Sequence, residues 1–318
     1  MKQIPASPFL QLSSKVRVRN TLPIDWLTNL LKGDALRQRH YVHWLRVNQS
    51  KTPKELKDVQ LKKLKAIIKY AYGYIPYYHQ LFKASKFKPE DLKNTDDLKK
   101  IPVTTKKDVQ NNYPNIFLRG INISKHRVFC TSGSTGMPLK IVINQKEYNY
   151  SRALMQYTFA ECGSSRKDKK AVVSPHINPG QPRPLLEEIA NRFFRTKLIP
   201  MHDHLENIVS ALRQFKPDVI TTHPSMLAIL SNNDVSGINP RLIFAYGENL
   251  PPHYRSLVRR TFGVEINERY GSVEFNSLAF ECNKHSGLHM ITDCAVLEFL
   301  DDGEQVSPGE LGEIIVTG

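Results

Sequence analysis

Apolar residues recur at helical spacing over residues 54–71, where Leu56, Val59, Leu64, Ile67, Ile68 and Ala71 share one face. IPVTTKKDV (101–109) reads as a turn into a short helix, with Thr104 or Thr105 as its cap. Further along, RVFC (127–130) and LKIVI (139–143) have strand character, and a helical pattern follows from Gln145 to about Glu161. Strand and helix signals then alternate. AVVS (171–174) precedes a Pro-rich loop (175–184) and a helix over 185–194, and TKLIP (196–200) precedes a helix over 205–215. DVITT (218–222) and RLIFAYG (241–247) read as buried strands, and 250–263 as a helix with Pro in its first turn and Gly263 at its end. VEINERYG runs as a strand into a turn, and VLEFL and EIIVTG flank the turn DDGEQVSPGELG. Such alternation predicts an α/β fold with a largely parallel sheet.

Composition changes this picture at one end of the chain. The 318 residues suit about two domains. Residues 1–110 hold 23 Lys and Arg against nine Asp and Glu, whereas the remaining 208 hold 22 against 21. We therefore expect a basic, mainly helical N-terminal region (1–110) and a core of different chemistry (111–318). The basic part has no zinc-finger spacing, aromatic RNA-binding signature or recognition-helix pattern, so no nucleic-acid partner is expected. Residues 24–47 mix Trp, Leu and Arg as interfacial helices do. The competing reading buries Leu27, Leu30 and Leu31 against the core and solvates the charges. Peripheral membrane contact through this region, and homodimerisation, stay open. Residues 1–12 lack the apolar stretch of a signal peptide, and four cysteines without a disulfide framework suit a reducing compartment, so the expected location is cytoplasmic.

Candidate chemistry concentrates in CTSGSTGMPLK (130–140), which gathers glycines, hydroxyls and a lysine. It is not a Walker A loop, because Pro138 stands where the second glycine is required. It is not a dinucleotide fingerprint either, and Thr135 occupies the serine position of a nucleophile elbow. The loop leads into a strand, so anion binding would rest on successive backbone N–H groups and hydroxyls, not on a helix dipole.

TSGSTGMPLK (131–140) resembles the phosphate-binding signature of the adenylate-forming (AMP-binding) superfamily, which includes acyl- and aryl-coenzyme A ligases. THPSMLAIL (222–230), RLIFAYGENLPP (241–252), RYGSVEF (269–275) and GELGEIIVTG (309–318) follow in that family's order. Together with IPYYHQLF, IPVTTKKDV and ECNKHSGLHMITD (281–293), they are similar to the phenylacetate–coenzyme A ligase branch and its capsular-polysaccharide-biosynthesis relatives. The likeness covers roughly residues 60–318. It implies stacked mixed and parallel sheets with flanking helices, forming an N-terminal core without its C-terminal lid domain and the catalytic lysine that the lid bears.

The same resemblance implies ATP, Mg²⁺ and a carboxylic acid as ligands, with coenzyme A as the acceptor. Thr131, Ser132, Gly133, Ser134, Thr135 and Gly136 would cradle phosphates, with Lys140 adding charge. Gly247 and Glu248 lie at the adenine-binding turn, Tyr270 of the Tyr270–Gly271 pair would stack on the base, and Glu268 would meet the adenine amine. Glu274 would hold Mg²⁺. Val273 departs from the family's Thr or Ser, so that either Ser272 replaces that phosphate contact through a shifted turn or the contact is missing. Cys282 and His289 match part of a zinc set found in some relatives, while Cys130 and Cys162 read as ordinary buried thiols. Acyl transfer to a sugar or amine in surface-polysaccharide synthesis, or nucleotide binding without catalysis, are the alternatives.

Overall fold

The computed structural model describes residues 24–131, 138–177, 188–189, 191–192, 194–292 and 294–318, with backbone alone for 24–32. The basic region is helical: α1 (Ile24–Gln49), α2 (Pro53–Tyr74), α3 (Pro76–Ala84) and α4 (Lys106–Asn111). Thr52 and Glu55 close α2 with a reciprocal capping box, satisfying backbone N–H groups that the first turn leaves free. Thr105, not Thr104, plays that part for α4, with Asp108 reaching back to its N–H at 2.8 Å. Leu64, Ile68 and Ala71 form the buried stripe of α2, and Ile67 falls outside it at 39% exposure.

A hairpin of β1 (Arg127–Cys130) and β2 (Lys140–Ile143) leads into α5 (Gln145–Glu161). Next come β3 (Lys170–Ser174), β4 (Thr196–Pro200), α6 (Leu205–Phe215), β5 (Val219–Thr222), α7 (Pro224–Ser231), β6 (Leu242–Tyr246) and α8 (Pro252–Phe262). Gly263 ends α8 at φ +71°, the left-handed cap that glycine adopts without strain. The chain closes with β7 (Ile266–Ser272), β8 (Asn276–Glu281), β9 (Leu288–Met290), β10 (Val296–Asp301), β11 (Glu304–Gln305) and β12 (Glu313–Thr317). The predicted helix over 185–194 lies largely outside the described residues.

One seven-stranded sheet organises the molecule in the order β4–β3–β5–β6–β7–β8–β9. The first five are parallel and the last two antiparallel; β10, β11 and β12 form a separate antiparallel sheet. Ala171, Val173, Ile220, Ile243 and Ile266 pack on α6, α7 and α8 through Ile208, Leu212, Leu227, Leu230 and Val258. Val219 and Phe244 belong to the core that also holds Leu154, Tyr157 and Phe159 of α5 and Leu45 of α1. Successive side chains of a strand alternate between faces. The residues of the parallel strands therefore alternate between the face covered by α6–α8 and the face of α5, and that alternation decides which side chains reach the site. No helix among the described residues is long and apolar enough to cross a membrane.

Candidate functional site

A cleft of about 1280 Å³ opens over the α5 face of the sheet and the ends of β6 and β7. It gathers Thr131 from the end of β1, Gly247 from the end of β6, and Tyr270, Gly271, Ser272 and Glu274 from the β7–β8 turn. Ligands of open parallel sheets bind outside the carboxyl ends of the strands, and these residues lie there.

Thr131 forms the neck of the hydroxyl loop. Its N–H donates to the Leu139 carbonyl at 3.0 Å, and its Oγ1 accepts from the Leu139 N–H at 2.9 Å. Ser132, Gly133, Ser134, Thr135 and Gly136 lie outside the described residues. Lys140 is not in the cleft wall. Its backbone is clasped by Tyr113, whose hydroxyl donates to the Lys140 carbonyl at 2.8 Å and accepts from its N–H at 3.0 Å. The Tyr113 phenol is pushed above its ordinary value by burial, with the negative charges of Cys130 and Glu274 adding to it against the bond to Lys140. Glu274 is exposed and is the one carboxylate among the described residues that line the cleft.

Glycine is required twice. Gly247 has φ +81°, and a Cβ there would sit 3.1 Å from Nε2 of His223. At Gly271 a Cβ would fall 1.6 Å from the Asn276 carbonyl oxygen, inside the β7–β8 hairpin. Tyr270 is 42% exposed against the cleft. The Ser272 Oγ accepts from the Phe275 N–H at 3.2 Å, which leaves its own proton to donate.

Two expected nucleotide ligands are engaged elsewhere. Glu268 sits on the opposite face of β7 from its neighbour Arg269 and binds Arg255 of α8 at 2.9 Å. Arg255 also holds Glu281 at 3.0 Å, so Glu268 belongs to an ion-pair cluster under α8 and not to the cleft. The Glu248 carboxylate accepts from the Ser225 N–H and hydroxyl, both at 2.9 Å, and meets His223 Nδ1 at 3.2 Å. Burial would raise its pKa, but these bonds outweigh it and hold the carboxyl below its usual range. Glu248 thus fastens the β6–α8 turn to the start of α7, and only the adjacent Gly247 reaches the cleft.

The Cys282 Sγ and His289 Nε2 lie 3.1 Å apart. Among the described residues no three metal-binding side chains come together, so this pair falls short of the four donors of a structural zinc site. Burial pushes the Cys162 thiol up to about 12, whereas Cys130, on a hairpin with no cover, is exposed contrary to expectation.

Several lining residues went unread in the sequence. Among the described residues, Arg39, Arg46, Arg152, Arg166, Lys170 and Arg269 all line the cleft, against the single Glu274. Arg269 alternates with Glu268 onto the α5 face, and its guanidinium lies 5.3 Å from the Phe159 ring centre and 5.9 Å from that of Tyr246. Burial pulls its pKa down to about 10, with Tyr246 and Cys162 opposing, so it stays charged at neutral pH. His176 is pushed down by burial and then by His223. A charged residue at an inward position of a strand was the available signal for Arg269.

Thr131, Gly247 and Tyr270 to Glu274 of the cleft fall within the motifs that resemble the adenylate-forming superfamily, and comparison with known proteins agrees. Phenylacetate-coenzyme A ligase of Pseudomonas putida is 28% identical over 277 residues, covering 82% of this chain and 62% of that protein. The chain is similar to phenylacetate–coenzyme A ligases over most of its length. The enzyme of the same name from Escherichia coli (strain K12) is 27% identical over 277 residues, with 83% and 63% covered. The chain thus spans about three fifths of the length of the curated relatives it matches. Among solved structures, 2-hydroxyisobutyryl-CoA ligase in complex with 2-HIB-AMP and CoA superposes with a TM-score of 0.70 at 20% identity, covering 84% of this chain and 60% of that one. The shared fold is that of acyl-coenzyme A ligase cores, as the homologue motifs implied. No protein-family model matches the chain.

Proposed function

We propose that this chain is the nucleotide- and acid-binding core of an AMP-forming carboxylate–coenzyme A ligase. The observation that carries the reading is convergence: Thr131, Gly247 and the Tyr270–Glu274 turn, far apart in sequence, line one cleft. In the reaction a carboxylate oxygen attacks the α-phosphorus of ATP, pyrophosphate leaves and an acyl-adenylate forms. The thiol of coenzyme A then attacks the acyl carbon, and AMP leaves. Bringing two anions together needs fixed positive charge and donors, and the cationic lining of the cleft supplies the first.

In this reading Thr131 and its loop through Gly136 hold phosphates, with Lys140 contributing field from β2. Gly247 lets the adenine approach the backbone, and Tyr270, above Gly271, stacks on it. Ser272 keeps a hydroxyl proton free for the α-phosphate, which offsets Val273. Mg²⁺ fits the hard oxygen donors of Glu274, exposed in the cleft, and would neutralise phosphate charge there.

The test is acid-dependent exchange of pyrophosphate into ATP by the full-length protein, with Glu274→Gln as the variant. Because Glu274 is exposed and carries no structural bond among the described residues, its loss should leave the thermal midpoint unchanged. Exchange should fall about 10²-fold. Unchanged exchange would remove Glu274 from the metal site, and no exchange with any acid would remove the ligase reading itself.

A further inference from the structure

Two other arginines of the fold have carboxylate partners. Arg255 holds Glu268 and Glu281, and Arg241 holds Asp168. Arg269 has none among the described residues. Its Nε and one terminal nitrogen share the Ser277 hydroxyl at 3.3 and 3.0 Å, and two aromatic rings flank it. A guanidinium carries five N–H donors, so three remain unspent in a partly buried cleft wall. A cation left without a counter-charge in such a place costs stability unless a ligand supplies one.

Position separates Arg269 from the phosphate end. It lies in register with Tyr246, on the sheet face that also presents Val172, Leu198 and Thr221 to the cleft. Ser272 and Glu274 follow at the strand end. About 10 Å of strand lies between residues 269 and 272. An acid whose reacting carboxyl meets the phosphates at the turn therefore extends its far end toward Arg269. We propose that Arg269 selects an acid substrate bearing a second anionic group, such as another carboxylate, at the end remote from the reacting carboxyl. This rests on the ligase reading for its orientation. It departs from the substrate that the relatives' names carry, since phenylacetate would place an uncharged ring beside an uncompensated cation.

The experiment is direct binding to the purified protein, by calorimetric titration, of matched pairs: 4-carboxyphenylacetate against phenylacetate, and adipate against hexanoate. ATP is titrated separately. The dianion of each pair should bind about 10-fold to 100-fold tighter, the worth of a charge-assisted bidentate contact. Arg269→Met should abolish that preference by weakening the dianion alone, and Arg269→Lys, which keeps the charge but loses the fork, should retain part of it. The lysine variant also serves if the methionine variant does not fold, as its thermal midpoint reports. Equal binding within each pair by the unaltered protein would overturn the proposal. So would a loss of ATP affinity in the Arg269 variants with the acid preference intact, which would make Arg269 a phosphate ligand. Preference for the dianion without any ATP binding would sink the ligase reading and leave the anion site standing.

Discussion

A methyl group at position 271 has nowhere to go. The Asn276 carbonyl oxygen lies 1.6 Å from where Cβ would sit, and that oxygen belongs to backbone, which cannot swing aside. Gly271→Ala should destabilise the protein by about 3 kcal/mol, read from urea unfolding, because the β7–β8 ladder must open to admit it. A variant of unaltered stability would mean that the hairpin relaxes without cost. The Tyr270–Gly271 pair was legible in the sequence as part of a motif, and Thr131, Ser272 and Glu274 line the cleft. Glu268 does not, because a shift of one residue along a strand reverses the face, and motif order says nothing of faces. The same alternation hid Arg269, which only the sheet's two coverings reveal.

Among elements, the junction between α5 and β3 depends on Asp168. Its carboxylate accepts from the Ser165 N–H at 2.6 Å, the Ser164 hydroxyl at 3.1 Å and Arg241, tying this loop to the start of β6. Burial alone would raise its pKa, but Arg241 and the two serines more than compensate and hold it below 3.8. A lowered folded-state value means that the unfolded chain binds the proton more tightly. The contribution is therefore complete above pH 3.8 and disappears as the pH falls through the folded value. Asp168→Asn should cost about 2 kcal/mol at pH 7 and progressively less in acid, shown by denaturant melts at stepped pH. A constant difference across that range would contradict the ionic account. Most elements here were readable from period and caps. β8 was not: Ser277 to Glu281 are buried on both faces, so the alternation that marks a half-exposed strand is missing.

Over the whole molecule, the N-terminal helix α1 and the seven-stranded sheet share a core. Leu45 of α1 is fully buried in the cluster with Leu154, Tyr157 and Phe244. A polar seam runs beside it, where the Asn149 amide donates to Asp34 at 2.7 Å and Gln38 donates to Asn149 at 3.1 Å. Leu45→Ala should cost about 3 kcal/mol and shift one cooperative thermal transition. A separate early transition for α1, with the remainder unmoved, would refute that coupling. Charge asymmetry was visible in the composition, but the seam joins residues more than a hundred positions apart and left no local trace. The strand order has a consequence for how a ribosome delivers this protein. After β3 and β4 pair, β5 adds beside β3, and β6, β7, β8 and β9 each add beside the strand laid before. No later strand has to be threaded between two already joined, so the sheet grows outward from one margin as the polypeptide emerges. Arg269 and Tyr270 sit on β7, and Glu274 in the turn after it, all translated after the first four parallel strands. A nascent chain stalled before residue 266 would hold four of the five parallel strands and none of these three side chains, so the ligand site comes into being only after most of the parallel sheet has been made.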